Sequence, residues 1–299
     1  MAEPKILLLG AGGQVGRALM PCLQQIGEVS AVTRQEIDLS DLNEVGRLLN
    51  EFQPQLIVNA AAFTAVDAAE SQVEWARRLN AALPDRLARY CAANDAFLVD
   101  YSTDYVFDGT GKTAWGEDDL VAPVNTYGLT KLEGLRAIER SGCDFLVFRV
   151  TWVYAREGKN FPNTMMRLAR EKDEITVVDD QLGTPTPAWW IAEMTVKALS
   201  QVLIDREKCG LYNLVPQGYV SWYGFAREIV SDLQKHEPSI QLKPEAIVPV
   251  PSSAYPTPAR RPANSRLDTS RLQATFGIIP ESWQDLYRKT FEMGVQGKP

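Results

Sequence analysis

Two rhythms of apolar residues alternate through the first half of the chain. Lys5-Ile6-Leu7-Leu8-Leu9-Gly10 is a short apolar run ending in glycine, the reading of a parallel strand buried on both faces. From Gln14 to Gln25, continuing to Ile26, the apolar positions Val15, Leu19, Cys22 and Leu23 recur at helical spacing. The alternation then repeats. Glu28 to Thr33 predicts a strand, Leu42 to Phe52 a helix, and Gln55 to Asn59 a strand running into the small-residue turn Ala60-Ala61-Ala62. Glu74 to Ala93 predicts a long helix, Ala96 to Thr103 a strand, Tyr127 to Ser141 a helix and Phe145 to Val150 a strand. Strands and helices joined by short connections imply an α/β protein with a doubly wound, Rossmann-type parallel sheet.

After Trp152 the pattern loosens. Phe161 to Glu171 and Trp189 to Leu203 predict helices and Ile175 to Val178 a strand. Prolines crowd between Lys243 and Pro262, interleaved with aromatic residues and arginines, which suggests an ordered loop over a site rather than a free linker. The expected division is a dinucleotide-binding domain over 1–155, with later elements of about 187–215 returning to it. A second, smaller α/β substrate domain would occupy 156–299.

Composition narrows the chemistry. The 299 residues are 45% hydrophobic and 23% charged, with a net charge of −7 and a pI near 5.0. No basic block exceeds Arg260-Arg261, so a nucleic-acid partner is not expected. No apolar stretch approaches the roughly 20 residues that span a bilayer. Met1-Ala2-Glu3-Pro4 leads into a strand without leader-peptide features, which points to a cytoplasmic protein with no membrane partner. Cys22, Cys91, Cys143 and Cys209 are widely spaced, as expected of reduced thiols. The single histidine, His236, sits in a polar stretch, so neither a histidine-based triad nor a multi-histidine zinc site is expected.

Strand, Gly10-x-x-Gly13-x-x-Gly16, helix is a dinucleotide-binding arrangement. Gly10, Gly12, Gly13, Gln14, Val15 and Gly16 would bring backbone N–H groups and a helix N-terminus to a pyrophosphate. A carboxylate ending the second strand would mark NAD; here Thr33-Arg34 suits a 2′-phosphate, so NADPH is expected, with NADH possible. Arg34 as a plain solvated loop residue is the alternative. Asp38, beside Leu39, places a carboxylate where an adenine amino group would lie.

Tyr127-Gly128-Leu129-Thr130-Lys131 puts a phenol and an ammonium four residues apart, on one helix face. A nearby cation favours phenolate, lowering a pKa that is ordinarily about 10. Such a tyrosine passes a proton to a carbonyl oxygen as hydride reaches the carbon. Thr103, at the end of the preceding strand, supplies a third polar group.

Together the glycine turn, Asn59-Ala60-Ala61-Ala62, Ser102-Thr103 and Tyr127-x-x-x-Lys131 resemble the extended short-chain dehydrogenases/reductases. Within that superfamily the chain is most similar to the dTDP-4-dehydrorhamnose reductases, which complete dTDP-L-rhamnose synthesis. The shared motifs include Tyr101-Ser102-Thr103-Asp104-Tyr105-Val106-Phe107, Arg149-x-x-Trp152-Val153-Tyr154, Asp180-Gln181-x-Gly183 and Tyr255 to Leu267, covering nearly the whole chain. The resemblance implies a nucleotide-sugar substrate whose C4 keto group is reduced, with Tyr127 as proton donor and Lys131 and Thr103 assisting. It implies further cofactor contacts from Ala60, Ala61, Ala62, Thr64, Tyr101, Tyr127 and Lys131. Thr103, Asp104, Tyr105, Trp152, Asn163 and Arg260 or Arg261 would meet the substrate, an arginine pairing with its diphosphate. Trp152 as core, Asn163 as a helix-start residue and Asp180 as a loop tie are the duller alternatives.

Two kinds of rival remain. A dehydratase of the same superfamily follows the threonine with Asp-Glu; here Tyr105 stands after Asp104, which favours simple reduction, while Thr33-Arg34 argues against an epimerase holding NAD. A non-catalytic regulatory subunit would not need Thr103, Tyr127 and Lys131 intact. Some relatives dimerise around glutamate-bound Mg²⁺. Ala18 and Trp189 or Trp190 stand at those places here, so no metal is expected. The tryptophan pair is either core or an apolar contact, and the chain either a monomer or a homodimer.

Overall fold

The computed structural model describes residues 3–292. Met1-Ala2, on which the reading of the chain start rests, and 293–299 of the expected substrate domain lie outside the described residues.

The first half builds the sheet in the expected order: β1 (Lys5–Leu9), α1 (Gln14–Leu23), β2 (Glu28–Val32), α2 (Leu42–Phe52) and β3 (Leu56–Asn59). Short helices α3 (Val66–Ala69) and α4 (Val73–Arg77) lead through a π-helical turn, Arg78–Ala82, into α5 (Leu83–Asn94). Then come β4 (Phe97–Thr103), α6 (Thr126–Ser141) and β5 (Phe145–Val150). Alternation along the strands decides the layers. Ile6, Leu8, Val58, Phe97 and Val99 face one core under α1; Leu7, Leu9, Ile57, Leu98 and Val147 face another under α2, α5 and α6.

The long helix expected over Glu74 to Ala93 is interrupted, because the π turn swings Asn80 inward. Its buried amide accepts from Phe63 N–H (2.8 Å) and donates to Phe63 O and Thr130 Oγ1 (both 3.1 Å). An extra residue in a helical turn is a common device for aiming one side chain off the regular spiral.

The second half begins with β6 (Val153–Tyr154), α7 (Phe161–Glu171), β7 (Ile175–Val178), β8 (Leu182–Gly183) and β9 (Thr186–Pro187). It then sends α8 (Ala188–Val202) and β10 (Gly210–Asn213) back to the sheet. β10 pairs with β5, giving the all-parallel order β10-β5-β4-β3-β1-β2, and α8 packs beside α1. β11 (Val220–Ser221) and α9 (Trp222–His236) follow; that helix is absent from the sequence reading, although Phe225, Ile229, Val230 and Leu233 keep helical spacing. β12 (Ile247–Val250) pairs with β7, so the start of the proline-rich stretch is strand rather than loop. α10 (Ser270–Phe276) and α11 (Trp283–Glu292) are the last elements of the described residues. A third core gathers Tyr154, Met165, Val177, Phe225, Ile229 and Trp283. Among the described residues no helix is long and apolar enough to cross a membrane.

Asn80→Ala removes three hydrogen bonds and leaves Phe63 N–H without its acceptor. Urea unfolding should show a loss of about 2–4 kcal/mol; a loss within measurement error would mean that the π turn stands without it.

Candidate active site

The glycine turn is built by exclusion of side chains. Gly10 has φ +76°, and a Cβ there would lie 2.7 Å from Ala61 N; a Cβ on Gly16 would lie 2.2 Å from Gly10 O. Strand β1, the Ala60–Ala62 turn and α1 therefore meet backbone to backbone. Gly12 and Gly13 are exposed, and α1 begins at Gln14 with no side-chain cap, which leaves first-turn N–H groups free for an anion. Gln14 Oε1 accepts from Asn160 Nδ2 (3.1 Å), while Val15 packs on the sheet core.

At the end of β2 the arrangement departs from expectation. Thr33 N–H and Oγ1 both donate to Glu36 Oε2 (2.7 and 2.9 Å), which holds the Glu36 carboxyl below its ordinary value. Arg34 is exposed. Asp38 is likewise held low, by Ser40 Oγ (2.7 Å) and N–H (2.9 Å), so its carboxylate is already engaged. Leu39 is buried in the second core and Tyr101 in the first, its hydroxyl 2.9 Å from Thr195 Oγ1. Each side chain lies on a core-facing position.

The polar groups of β4 and α6 converge as expected. Asn125 caps α6, accepting from Gly128 N–H (2.8 Å), and so places Tyr127 in the first turn. The Tyr105 ring meets Tyr127 edge-on, with centroids 5.6 Å apart. Thr103 Oγ1 donates to Asp104 Oδ1 (3.1 Å) and accepts from Tyr105 N–H (3.2 Å). Burial pushes the Tyr127 phenol well above its ordinary pKa, and the Thr103 hydroxyl pulls it only part of the way back. This reverses the expected lowering. Lys131 is buried one turn on, with Nζ 3.6 Å from Asp100 Oδ1, so its charge is shared with a carboxylate. Asp104 is also buried; its Oδ2 has no hydrogen-bond partner, and burial pushes its carboxyl up to about 6 against the pull of the Ser265, Thr103 and Thr151 hydroxyls.

Facing these groups, Arg261 donates to Asp67 Oδ2 (2.7 Å) and Tyr105 Oη (3.3 Å). Arg260 is exposed and contributes its carbonyl to Asn125 Nδ2 (2.8 Å). Trp152 has φ +47° and stacks on Trp222, with centroids 3.5 Å apart. A left-handed, non-glycine residue at a sheet edge is stored strain of the kind found at functional sites. Asn163 Nδ2 donates to Arg156 O (3.0 Å) and Gly158 O (2.9 Å), so its side chain ties down the loop before α7. Thr64 is exposed beside that face, and Asp180 accepts from Ser252 N–H, a loop tie. Trp190 is core, and Trp189 Nε1 donates to Thr290 Oγ1 (2.8 Å).

Glu36, Asp67, Asn80 and Asp100 escape the sequence reading as site residues. Only Asp100 carries a plain signal there, as a charge inside the apolar run Phe97-Leu98-Val99-Asp100-Tyr101. A separate hollow of about 390 Å³ lies at the β5–β10 edge, with Arg136, Arg149 and Arg271 set against Glu117, Asp118, Asp119 and Glu139.

With that geometry in place, comparison with known proteins is direct. The sequence model of the RmlD substrate binding domain matches residues 4–294. A dTDP-4-dehydrorhamnose reductase of Burkholderia thailandensis is 44% identical over 284 residues, covering 94% of this chain and 95% of that protein. The chain belongs to the dTDP-4-dehydrorhamnose reductase family. A crystal structure of the Clostridium acetobutylicum member superposes with a TM-score of 0.88 at 34% identity, covering 98% of this chain and all of that one (100%). The Bacillus anthracis member, solved in complex with NADP, also gives 0.88, at 28% identity and coverages of 98% and 100%.

The raised Asp104 carboxyl gives a signed stability test. Between the ordinary carboxylate range and about 6 the folded chain holds a proton that the unfolded chain has lost. Stability therefore falls as pH rises through that window, by on the order of 3 kcal/mol from this group. Asp104→Asn should flatten that fall when urea midpoints are compared from pH 4 to 7; an unchanged slope would discount the buried carboxyl.

Proposed function

We propose that the chain reduces the C4 keto group of dTDP-4-dehydro-L-rhamnose to give dTDP-L-rhamnose, with NADPH as preferred cofactor and NADH accepted. The observation that carries this reading is the Thr103 hydroxyl bonded to the Tyr127 phenol one helical turn before the buried Lys131, with the phenol kept protonated by burial.

The chain's backbone suits a dinucleotide: the bare Gly10–Gly16 turn and the uncapped α1 N-terminus form a cradle that side chains would fill. The bound cofactor would supply hydride to the keto carbon. Gly12, Gly13, Gln14, Val15 and Gly16 would hold the pyrophosphate, with Ala60, Ala61, Ala62 and Thr64 along the floor. Because Thr33's donors already hold Glu36, Arg34 is the group left free to meet a 2′-phosphate. The B. anthracis relative with bound NADP supports that choice.

At the keto oxygen Thr103 would turn its one O–H from Asp104 Oδ1 to donate a positioning hydrogen bond, and Tyr127 would deliver its proton as the oxygen gains charge. Lys131 would steady the resulting phenolate and the nicotinamide ribose. Asp104, Tyr105 and Trp152 would line the sugar pocket, with Asn163 near the nucleotide through the loop it holds. Arg261, anchored by Asp67 and bonded to Tyr105, would be the guanidinium that meets the diphosphate. We assign residues 1–155 with 187–215 to the cofactor half and the remainder to the substrate half, in a cytoplasmic monomer or homodimer.

Purified chain should oxidise NADPH only when the keto sugar nucleotide is present. Tyr127→Phe should lower kcat by about 10²- to 10⁴-fold while the Kd for NADPH stays within twofold; normal turnover would end its role as acid. Arg261→Ala should raise KM for the sugar nucleotide by about 10- to 100-fold, with Arg260→Ala changing it little. The reverse ranking would move the diphosphate to Arg260.

A further inference from the structure

Asp100 has no part in the chemistry above, yet it lies buried beside one of the groups that perform it. Alternation along β4 explains where it points. Leu98 and Asp100 share the face under α5 and α6, whereas Val99 and Tyr101 face the other core. Register places Asn59 of β3 opposite Asp100, and Asn59 Nδ2 donates to Asp100 Oδ2 (2.6 Å). Asn59 Oδ1 in turn accepts from Ala61 N–H (3.2 Å), in the turn that touches Gly10. A continuous line thus runs from the floor of the glycine turn through Asn59 and Asp100 to the Lys131 ammonium, 3.6 Å away.

We propose that Asp100 is a positioning residue for the reduction: its carboxylate holds the Lys131 ammonium in register with Asn59 and the Ala60–Ala62 turn, and as counter-ion it limits the positive charge that reaches Tyr127. The inference rests on the reading of Tyr127 and Lys131 as the reducing pair. Two features support it. Burying a charge pair gains little stability over a packed apolar pair, so a core strand has small structural reason to keep one. Burial also raises the Asp100 carboxyl, and Lys131 and then Asn59 draw it back, so the carboxylate's charge depends on the lysine beside it.

Other charges around the phenol are Asp104 and Tyr105 from the turn after β4, and Arg261 with Asp67 behind Tyr105. Arg77 and Glu133 bridge α4 to the outer side of α6. Of the carboxylates in this set, Asp100 is the one paired with Lys131.

Asp100→Asn keeps the size and an acceptor for Asn59 but removes the counter-charge. Lys131 then stabilises phenolate more strongly, and a phenol that must be protonated to donate is lost at lower pH. The alkaline limb of the kcat profile should move down by about one pH unit. Asp100→Glu, which restores the charge, should move it back. In the cofactor-free protein, tyrosinate absorbance assigned to Tyr127 by difference from Tyr127→Phe should also begin at lower pH in the Asp100→Asn background. A limb and a titration that match the native chain, whatever the fall in kcat, would overturn the proposal and leave Asp100 a packing residue. Normal turnover by Tyr127→Phe would instead remove the reading beneath it.

Discussion

Everything at the C-terminal edge of the sheet depends on one contact between bare backbones. Gly10 presses on Ala61, and Gly16 on Gly10, at separations that leave no room for a Cβ. Because β1 and β3 end that close together, the first turn of α1 is held with its N–H groups facing out, and the Ala60–Ala62 turn becomes a floor. Asn59 sits at the foot of that floor and Asp100 beside Asn59. Lys131, one turn after Tyr127 on α6, meets the end of this line through the Asp100 carboxylate.

Electrostatics in this region run against the simplest picture of a tyrosine activated by a lysine. The buried phenol is a weaker acid than in water, and the lysine's charge is divided with Asp100. For reduction this is the useful direction, since a proton donor must hold its proton until the carbonyl oxygen develops charge. Burial likewise makes the Asp104 carboxyl a weaker acid, raised to about 6, with its Oδ2 left without a hydrogen-bond partner.

Much of the sheet was legible in sequence because β1, β3, β4 and β5 are short, largely apolar runs and α1, α2 and α6 keep a 3.6-residue period. The glycine turn and the Thr103, Tyr127, Lys131 set were legible for a related reason, being short local patterns. What escaped depends on contacts distant in sequence. Nothing local marks Asp67 as the anchor of Arg261 across 194 positions, or Glu36 as the occupant of Thr33's donors. The π turn at Arg78–Ala82 is invisible because its apolar spacing still reads as helix, and α9 was missed where proline and glycine neighbours blurred its period. Tyr101 and Leu39 turn their side chains into the two cores, a direction set by packing that their motif neighbours do not share.

The chain passes from the sheet to the third core at β6, returns with α8 and β10, leaves again for α9 and comes back with α10. Gln14 and Asn160 clasp the two regions at the glycine turn. Such a thread cannot be cut into halves that travel separately. Neither region is one continuous stretch of sequence, so a single cut in the chain leaves both the sheet and the third core incomplete.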